Sequence, residues 1–417
     1  MDKEYLEKMW EMGKIVTSKS EENVKIIFGE EDFKNVSDKS ENFRLLFLSR
    51  YSKIKKILTS KISVSNVMDI DFIKRRENES GTIIGMVMEK YPGQYNQILV
   101  EDPSGQIVVK LNPEMYDEVL NDDIIAIKGK IRNGKFIAEE INYPGIDNIQ
   151  KQEKLIKSDN SIAFISDIHV GSKNFLSSSF EKFIEWINST KDSAKKIKYL
   201  IISGDLVDGI GIYPGQEKDL DIDDIYIQYD NLSKYICKIR DDIKIFMIPG
   251  NHDLTRILEP QNRPPKAVMD MFPSNVKFLT NPAYISIEDF KILIYHGASL
   301  NDVADLVKGM KYENTERLMI ELIKRRHLAP FYGRNVPIAP IKNDVMVIDE
   351  IPDLFITGHI HMFKYGIYRG ILLLNASTWQ KQTNYQKMMN LNPMPGYVAI
   401  KNLSSRGFEY KHFTPGP

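Results

Sequence analysis

The chain has 417 residues, 42% of them hydrophobic and 27% charged, enough for two or three domains with buried cores. Fifty-six basic residues oppose 57 acidic ones, which excludes a uniformly basic nucleic-acid coat but not a local basic patch. A single cysteine, Cys237, excludes an internal disulfide framework and any thiolate zinc site, and it fits a reducing compartment. The N-terminus, MDKEYLEKMW, is charged from residue 2 and offers no export signal. No apolar run approaches the roughly 18 residues of a membrane span. A soluble, cytoplasmic protein without a membrane partner is expected.

Residues 1–75 read as helical. Phe43, Leu46, Phe47, Ile54, Ile57 and Leu58 share one face, with Lys53, Lys55 and Lys56 off it. A small packing module and a partner-docking helix both fit. Residues 80–145 change period. Ile125, Ile127 and Ile131 alternate with Lys128, Lys130 and Arg132, and Asn133-Gly134 supplies a hairpin turn before KFIAEEI. Upstream, a Pro-Ser-Gly turn joins two strand-like runs in NQILVEDPSGQIVVKL. Several short strands predict a small barrel, an OB-fold first. Such barrels stack single strands on aromatics. Here only Tyr91, Tyr95, Phe136 and Tyr143 are present, and a protein-docking barrel fits as well. Residues 146–160 read as a polar linker. From 161 to 417, apolar runs alternate with helical stretches, one carrying Phe180, Phe183, Ile184 and Ile187. This pattern predicts an α/β domain.

Five times in this last part an apolar run ends in a polar cluster. IAFIS leads to Asp167-Ile168-His169, and YLIIS to Gly204-Asp205 with Asp208 three residues on. IKIFMIP leads to Gly250-Asn251-His252-Asp253, KILIY to His296-Gly297, and DLFIT to Gly358-His359-Ile360-His361. Sites in α/β sheets gather at the carboxyl ends of strands, so the five clusters predict one shared site. Five of the seven histidines fall in them. Imidazole, carboxylate and amide oxygen without thiolate suit manganese, iron or zinc in a catalytic setting. The donors suffice for two ions, and Asp205 in its Gly-Asp turn suits a bridge between them.

The ordered set D-x-H, G-D-x-x-D, G-N-H-D, H, G-H-x-H resembles the calcineurin-like metallophosphoesterases over residues 161–380. The resemblance implies a two-layer β-sandwich flanked by helices. It implies that Asp167, His169 and His361 hold one ion, that Asn251, His296 and His359 hold the other, and that Asp205 bridges both. Two divalent ions are implied, manganese first, with magnesium, iron or zinc as alternatives. His252 would face the scissile phosphate and protonate the leaving oxygen. Asp253 would orient His252, and Asp208 would support the ligands from behind.

Within that superfamily, GDLVDGIGIYPGQE, RRHLAPFYGRNVPIAP and STWQKQTNYQK resemble the small subunits of archaeal family D DNA polymerases. That family places an OB-fold before the phosphoesterase domain. The resemblance implies a 3′→5′ exonuclease acting on a DNA 3′ end, a heterodimer with a large polymerising subunit, and a sliding clamp as a further partner. Related eukaryotic B-subunits have lost metal ligands and serve as scaffolds; this chain keeps every ligand position. For DNA, the densest basic stretch is Lys324, Arg325, Arg326 and His327, followed by Arg334. It is expected to contact phosphates, with Tyr213 at the mouth of the site. Trp379, Gln380 and Gln382 fit core or a subunit contact, with a subunit contact or the site rim preferred. The rival readings are a repair nuclease, a nucleotide phosphodiesterase and a non-catalytic scaffold. A small-molecule phosphodiesterase has no need of the upstream barrel.

Overall fold

In the computed structural model, residues 23–33, 39–91, 93, 96–147, 152–388 and 390–414 are described. Tyr95 and the first 22 residues of the expected helical region lie outside them. That region is not helical throughout. Strand β1 (Val24–Phe28) precedes helix α1 (Lys39–Thr59) and the short α2 (Ile70–Lys74). The β-branched, alternating VKIIF run suits a half-buried sheet edge, not a helix turn. On α1 the expected face is buried at Leu46, Ile54 and Leu58, joined by Arg50 and Tyr51.

A closed barrel follows: β2 (Ser80–Tyr91), β3 (Gln97–Asp102), β4 (Gly105–Lys110), helix α3 (Pro113–Glu118), β5 (Ile124–Arg132) and β6 (Lys135–Asn142), in the order β2-β3-β4-β6-β5. Asn133 and Gly134 turn the β5–β6 hairpin with φ of 51° and 71°. Both are positive, as a right-twisted two-residue hairpin requires. Ile83, Val87, Ile98, Val100, Ile127 and Phe136 fill the barrel.

The remaining elements are β7 (Ser161–Ile165), α4 (Ser177–Ile187), β8 (Ile197–Ser203), α5 (Ile225–Ile236), β9 (Lys244–Ile248), α6 (Lys266–Met269), β10 (Val276–Phe278), β11 (Ala283–Ile287), β12 (Phe290–Ile294), α7 (Leu300–Leu306), α8 (Thr315–Arg325), β13 (Leu354–Thr357), β14 (Phe363–Tyr368), β15 (Ile371–Ala376), α9 (Asn384–Met388), β16 (Tyr397–Asn402) and β17 (Glu409–His412). They build two six-stranded sheets, β10-β9-β8-β7-β16-β17 and β1-β11-β12-β13-β15-β14. Phe164, Ile201 and Ile248 of the first pack against Ile292, Ile356 and Leu374 of the second in one apolar layer. Strands β7, β8 and β9 run parallel in one sheet, and β12 and β13 run parallel in the other. The strand ends that carry the polar clusters therefore emerge together. Trp379 is no rim residue. It is fully buried beside Phe180 and Phe183 of α4, edge-on to Phe180 at 4.9 Å.

The stretch expected to be a basic DNA patch is instead a buried joint between barrel, α1 and α8. Arg325 is 4% exposed and donates to Asp123 beside β5 at 2.8 Å. Arg326 and His327 are buried, and Lys324 pairs with Glu118 of α3 while lying over the Tyr143 ring. Only Arg334 is exposed. The amphipathic α8 ends here, and Arg325 folds back onto the buried Asp123 while Lys324 meets the exposed Glu118. The expectation of a phosphate-contacting run at Lys324–His327 is thus overturned.

Asp344 ties this joint to α1, accepting from Arg50 at 2.7 Å and from His327 at 3.0 Å. The Ala329 amide donates to the other His327 nitrogen at 3.0 Å, so the neutral ring satisfies both. Burial, then the nearby Arg50, holds its pKa down at about 4. A histidine depressed this way contributes stability above its unfolded pKa of about 6.5 and loses it as pH falls toward 4. Wild type is expected to lose roughly 3 kcal/mol more than His327→Asn between pH 7 and pH 4. Urea unfolding of both proteins at the two pH values measures this, and parallel pH profiles contradict it.

Candidate metal centre

Strands β7, β8, β9, β12 and β13 each end two or three residues before a side chain of the site. Five of these residues hold positive φ without being glycine: Asp167 (51°), His169 (54°), Asp205 (47°), His359 (67°) and His361 (59°). Such conformations cost of order 1–3 kcal/mol each and persist only where the surroundings over-determine them. Backbone bonds do so here. The Asp167 amide donates to the Gly204 carbonyl at 3.0 Å, and the His169 amide to that of Asp205 at 3.2 Å. The His359 amide donates to both Asp167 carboxylate oxygens, at 3.1 and 3.0 Å. Close approach also demands glycine at Gly250, where a Cβ would overlap Asp205 Oδ1, and at Gly358, where it would overlap Ser166 and Asp167.

Asp167, His169 and His361 form one cluster, and Asp205, His296 and His359 another. Asp205 Oδ2 lies 3.3 Å from His296 Nε2 and 3.7 Å from His169 Nε2. His361 Nε2 is 3.3 Å from Asp167 Oδ1 and 3.1 Å from His169 Nε2. Asn251 Oδ1 faces His296 Nε2 at 3.1 Å. All seven expected ligand residues are thus brought together.

Hydrogen-bond partners set the imidazole tautomers. His169 Nδ1 faces Asp208 Oδ1 at 3.0 Å, and His296 Nδ1 faces the Ser203 carbonyl at 2.9 Å. Both partners accept only, so both Nδ1 atoms carry protons. Were the rings neutral, each inward Nε2 would be a bare lone pair, facing Asp205 at 3.3 Å from His296 and at 3.7 Å from His169, whose Nε2 also meets His361 Nε2 at 3.1 Å. His296 adds the Asn251 amide oxygen to the acceptors it faces. Lone pairs converging on carboxylate and amide oxygens require positive charge between them. Burial works against an imidazolium at His296, but Asp205 overrides it and pushes the pKa up to about 10. Burial would likewise raise Asp205; His296 and His252 hold it well below the ordinary range. Burial and the neighbouring His296 press His359 down to about 3. The donor set therefore fits divalent cations, which would take the place of protons.

Asp208 supports the site twice, through its carboxylate to His169 and through its carbonyl to His252 Nδ1 at 2.7 Å. Asp253 does not orient His252. Its carboxylate accepts from the Gly250 amide at 2.7 Å, the Leu206 amide at 3.1 Å and the Tyr229 hydroxyl at 2.7 Å. It clamps the turn that presents Asn251 and His252, because a buried carboxyl in a tight turn is captured by the nearest amides. Burial, then Asp205, pushes it up to about 6.

Asn301 and Gln386 escaped the sequence reading, and Gln380 supports the site from within. The Asn301 amide of α7 faces His359 Nε2 at 3.0 Å, the Gln386 amide of α9 faces His361 Nδ1 at 2.9 Å, and Gln380 donates to Asp208 at 2.9 Å. The last two lie within the STWQKQTNYQK stretch that carried the family resemblance. The clusters open into a cavity of about 270 Å³, bordered by His252, Tyr213, Tyr312, Ile212, Ile360 and Leu391. Tyr213 donates to Asp219 at 3.2 Å.

Two packed sheets whose strand ends converge on this buried His/Asp/Asn cluster define a metallophosphoesterase-like fold. The family model for the B subunit of DNA polymerases alpha and epsilon matches residues 162–365. The DNA polymerase II small subunit of Thermoplasma acidophilum is 41% identical over 387 residues, covering 89% of this chain and 78% of that protein. That of Archaeoglobus fulgidus is 41% identical over 370 residues, covering 86% and 75%. Among solved structures, an archaeal phosphodiesterase aligns at 13% identity with a TM-score of 0.31, over 60% of this chain and 99% of its own. The chain belongs to the DNA polymerase II small-subunit family, and its membership implies a large catalytic subunit as partner. Among the described residues, no helix is long and apolar enough to cross a membrane.

Proposed function

We propose that this subunit is a 3′→5′ exonuclease that hydrolyses DNA phosphodiesters while assembled with its large polymerase subunit. Asp167, His169 and His361 would hold one divalent ion, and Asn251, His296 and His359 the other, with Asp205 shared. When bound, two such ions would neutralise the phosphodiester and lower the pKa of the attacking water. The reading rests above all on the convergence of the His296 and His169 Nε2 atoms on the buried Asp205 carboxylate, an arrangement that calls for positive charge between them.

His252 supplies the proton. Its Nδ1 is committed to the Asp208 carbonyl, and Nε2 faces the cavity, 3.9 Å from Asp205 Oδ2. At 16% side-chain exposure it is more open to a substrate than His169, His296 or His361. A protonated Nε2 would hand its proton to the departing 3′ oxygen. Tyr213 would border the path of the strand end. The intact donor set argues against a purely scaffolding role.

The test incubates the chain, alone and with its large subunit, with end-labelled single-stranded DNA in manganese and in chelator. Metal-dependent shortening from the 3′ end is expected, with none in chelator. His252→Ala should slow it by ~10²–10⁴-fold while binding metal as wild type does. Cleavage that persists in chelator, or no cleavage with either assembly, ends the reading.

A further inference from the structure

The corrected basic stretch leaves open what holds DNA away from the metal cluster. The barrel offers a different surface. A groove of about 980 Å³ runs between the end of β4 and the β5–β6 hairpin. Lys110, Lys130, Arg132 and Lys135 line it, with Glu139 as the one carboxylate among the lining residues. Lys110, Arg132 and Lys135 are exposed. None of the four cations has an ion-pair partner among the described residues, and they are gathered along one groove. In a chain of net charge −1, an uncompensated cluster of this density is a local field of one sign.

The groove floor adds hydrogen-bonding groups. Strands β4 and β6 pair at only two positions, Val109↔Phe136 and Lys110↔Ile137. Beyond Ile137, β6 pairs with β5 alone, so its outer edge, at Ala138 and Glu139, lines the groove. Asn112 and Asn133 add amides at either end. No aromatic side chain is among the lining residues, so the groove has no platform for base stacking.

We propose that this groove binds the phosphodiester backbone of a DNA strand, independent of sequence, as a second contact apart from the metal cluster. Cations without partners meet phosphates, and the open strand edge and amides meet the remaining phosphate oxygens. The inference takes DNA as ligand from the family but does not depend on the exonuclease reading, because its readout is binding and not cleavage.

The test is the affinity of the full chain for fluorescent single-stranded DNA in chelator, as a function of salt. Wild type is compared with a Lys110→Ala, Lys130→Ala, Arg132→Ala, Lys135→Ala variant, and with a control carrying alanine at the ion-paired Lys234, Lys238, Lys266 and Lys277. The groove variant should bind roughly tenfold or more weakly at 0.1 M salt, and its log K against log salt slope should flatten by about 3. Its melting temperature should match wild type. The control should keep the wild-type slope. An unchanged slope in the groove variant overturns the proposal. So does unchanged DNA binding combined with loss of co-purification with the large subunit, which would make the groove a protein-docking surface.

Discussion

Asp205→Asn is expected to lower metal-dependent phosphodiester hydrolysis by ~10³-fold or more and to reduce bound metal below two ions per chain. The substitution is nearly isosteric. The asparagine oxygen keeps the bond that Asp205 Oδ1 accepts from the His252 amide at 2.9 Å, so the turn is retained. What disappears is the charge on Oδ2, the atom approached by His296, His169 and His252 at 3.3, 3.7 and 3.9 Å. Without it neither imidazole cluster has a shared anion, and a second cation beside the first has nothing to screen it. Metal titration by calorimetry reads stoichiometry, 3′-end shortening of labelled DNA reads chemistry, and the melting temperature of the metal-free protein controls for folding. An Asp205→Asn protein that binds two ions and cleaves at the wild-type rate removes the bridging role.

The convergence of the His, Asp and Asn side chains was legible in the sequence because its information is local. An Asp-x-His or Gly-His-x-His directly after an apolar strand fixes both residue type and position at the strand end. The supporting groups were not legible for the opposite reason. Asn301 and Gln386 are common residue types, reach their histidines from helices 58 and 25 residues away in sequence, and matter only through the direction in which they point. Ser203 acts through its carbonyl, which no side-chain pattern records. The Asn-Gly hairpin of the barrel was visible because its turn chemistry is local too. Strand β1 was missed because five residues, VKIIF, acquire strand structure by pairing with β11, some 260 residues later in the chain.

Burial of charge was the least legible feature. A run of Lys, Arg, Arg and His reads as a solvated or DNA-facing surface, because such residues are seldom buried unless paired. The partners of Arg325, Lys324 and His327, namely Asp123, Glu118 and Asp344, lie in segments that the chain brings together only when the barrel docks on α8 and α1. The same fact turns a failed DNA contact into a statement about stability.

Arg325→Met is therefore expected to destabilise the protein by about 3–5 kcal/mol while leaving the salt dependence of DNA binding unchanged. Methionine fills much of the space of the aliphatic stem, so the loss is chiefly electrostatic. Asp123 is 2% exposed and keeps only the Leu120 amide at 2.9 Å and a long contact from the Tyr143 hydroxyl at 3.4 Å. Burial already raises its pKa against the pull of Arg325. Once the guanidinium is gone, the carboxyl must either remain charged in the joint or take up a proton. Adding Asp123→Asn should restore much of the loss, since the orphaned charge and not the missing arginine is what destabilises. Denaturant midpoints of the two single variants and the double variant close this cycle. A phosphate-contacting Arg325 would give the reverse pattern: near-normal stability, weaker DNA binding, a flatter salt slope and no rescue by Asp123→Asn.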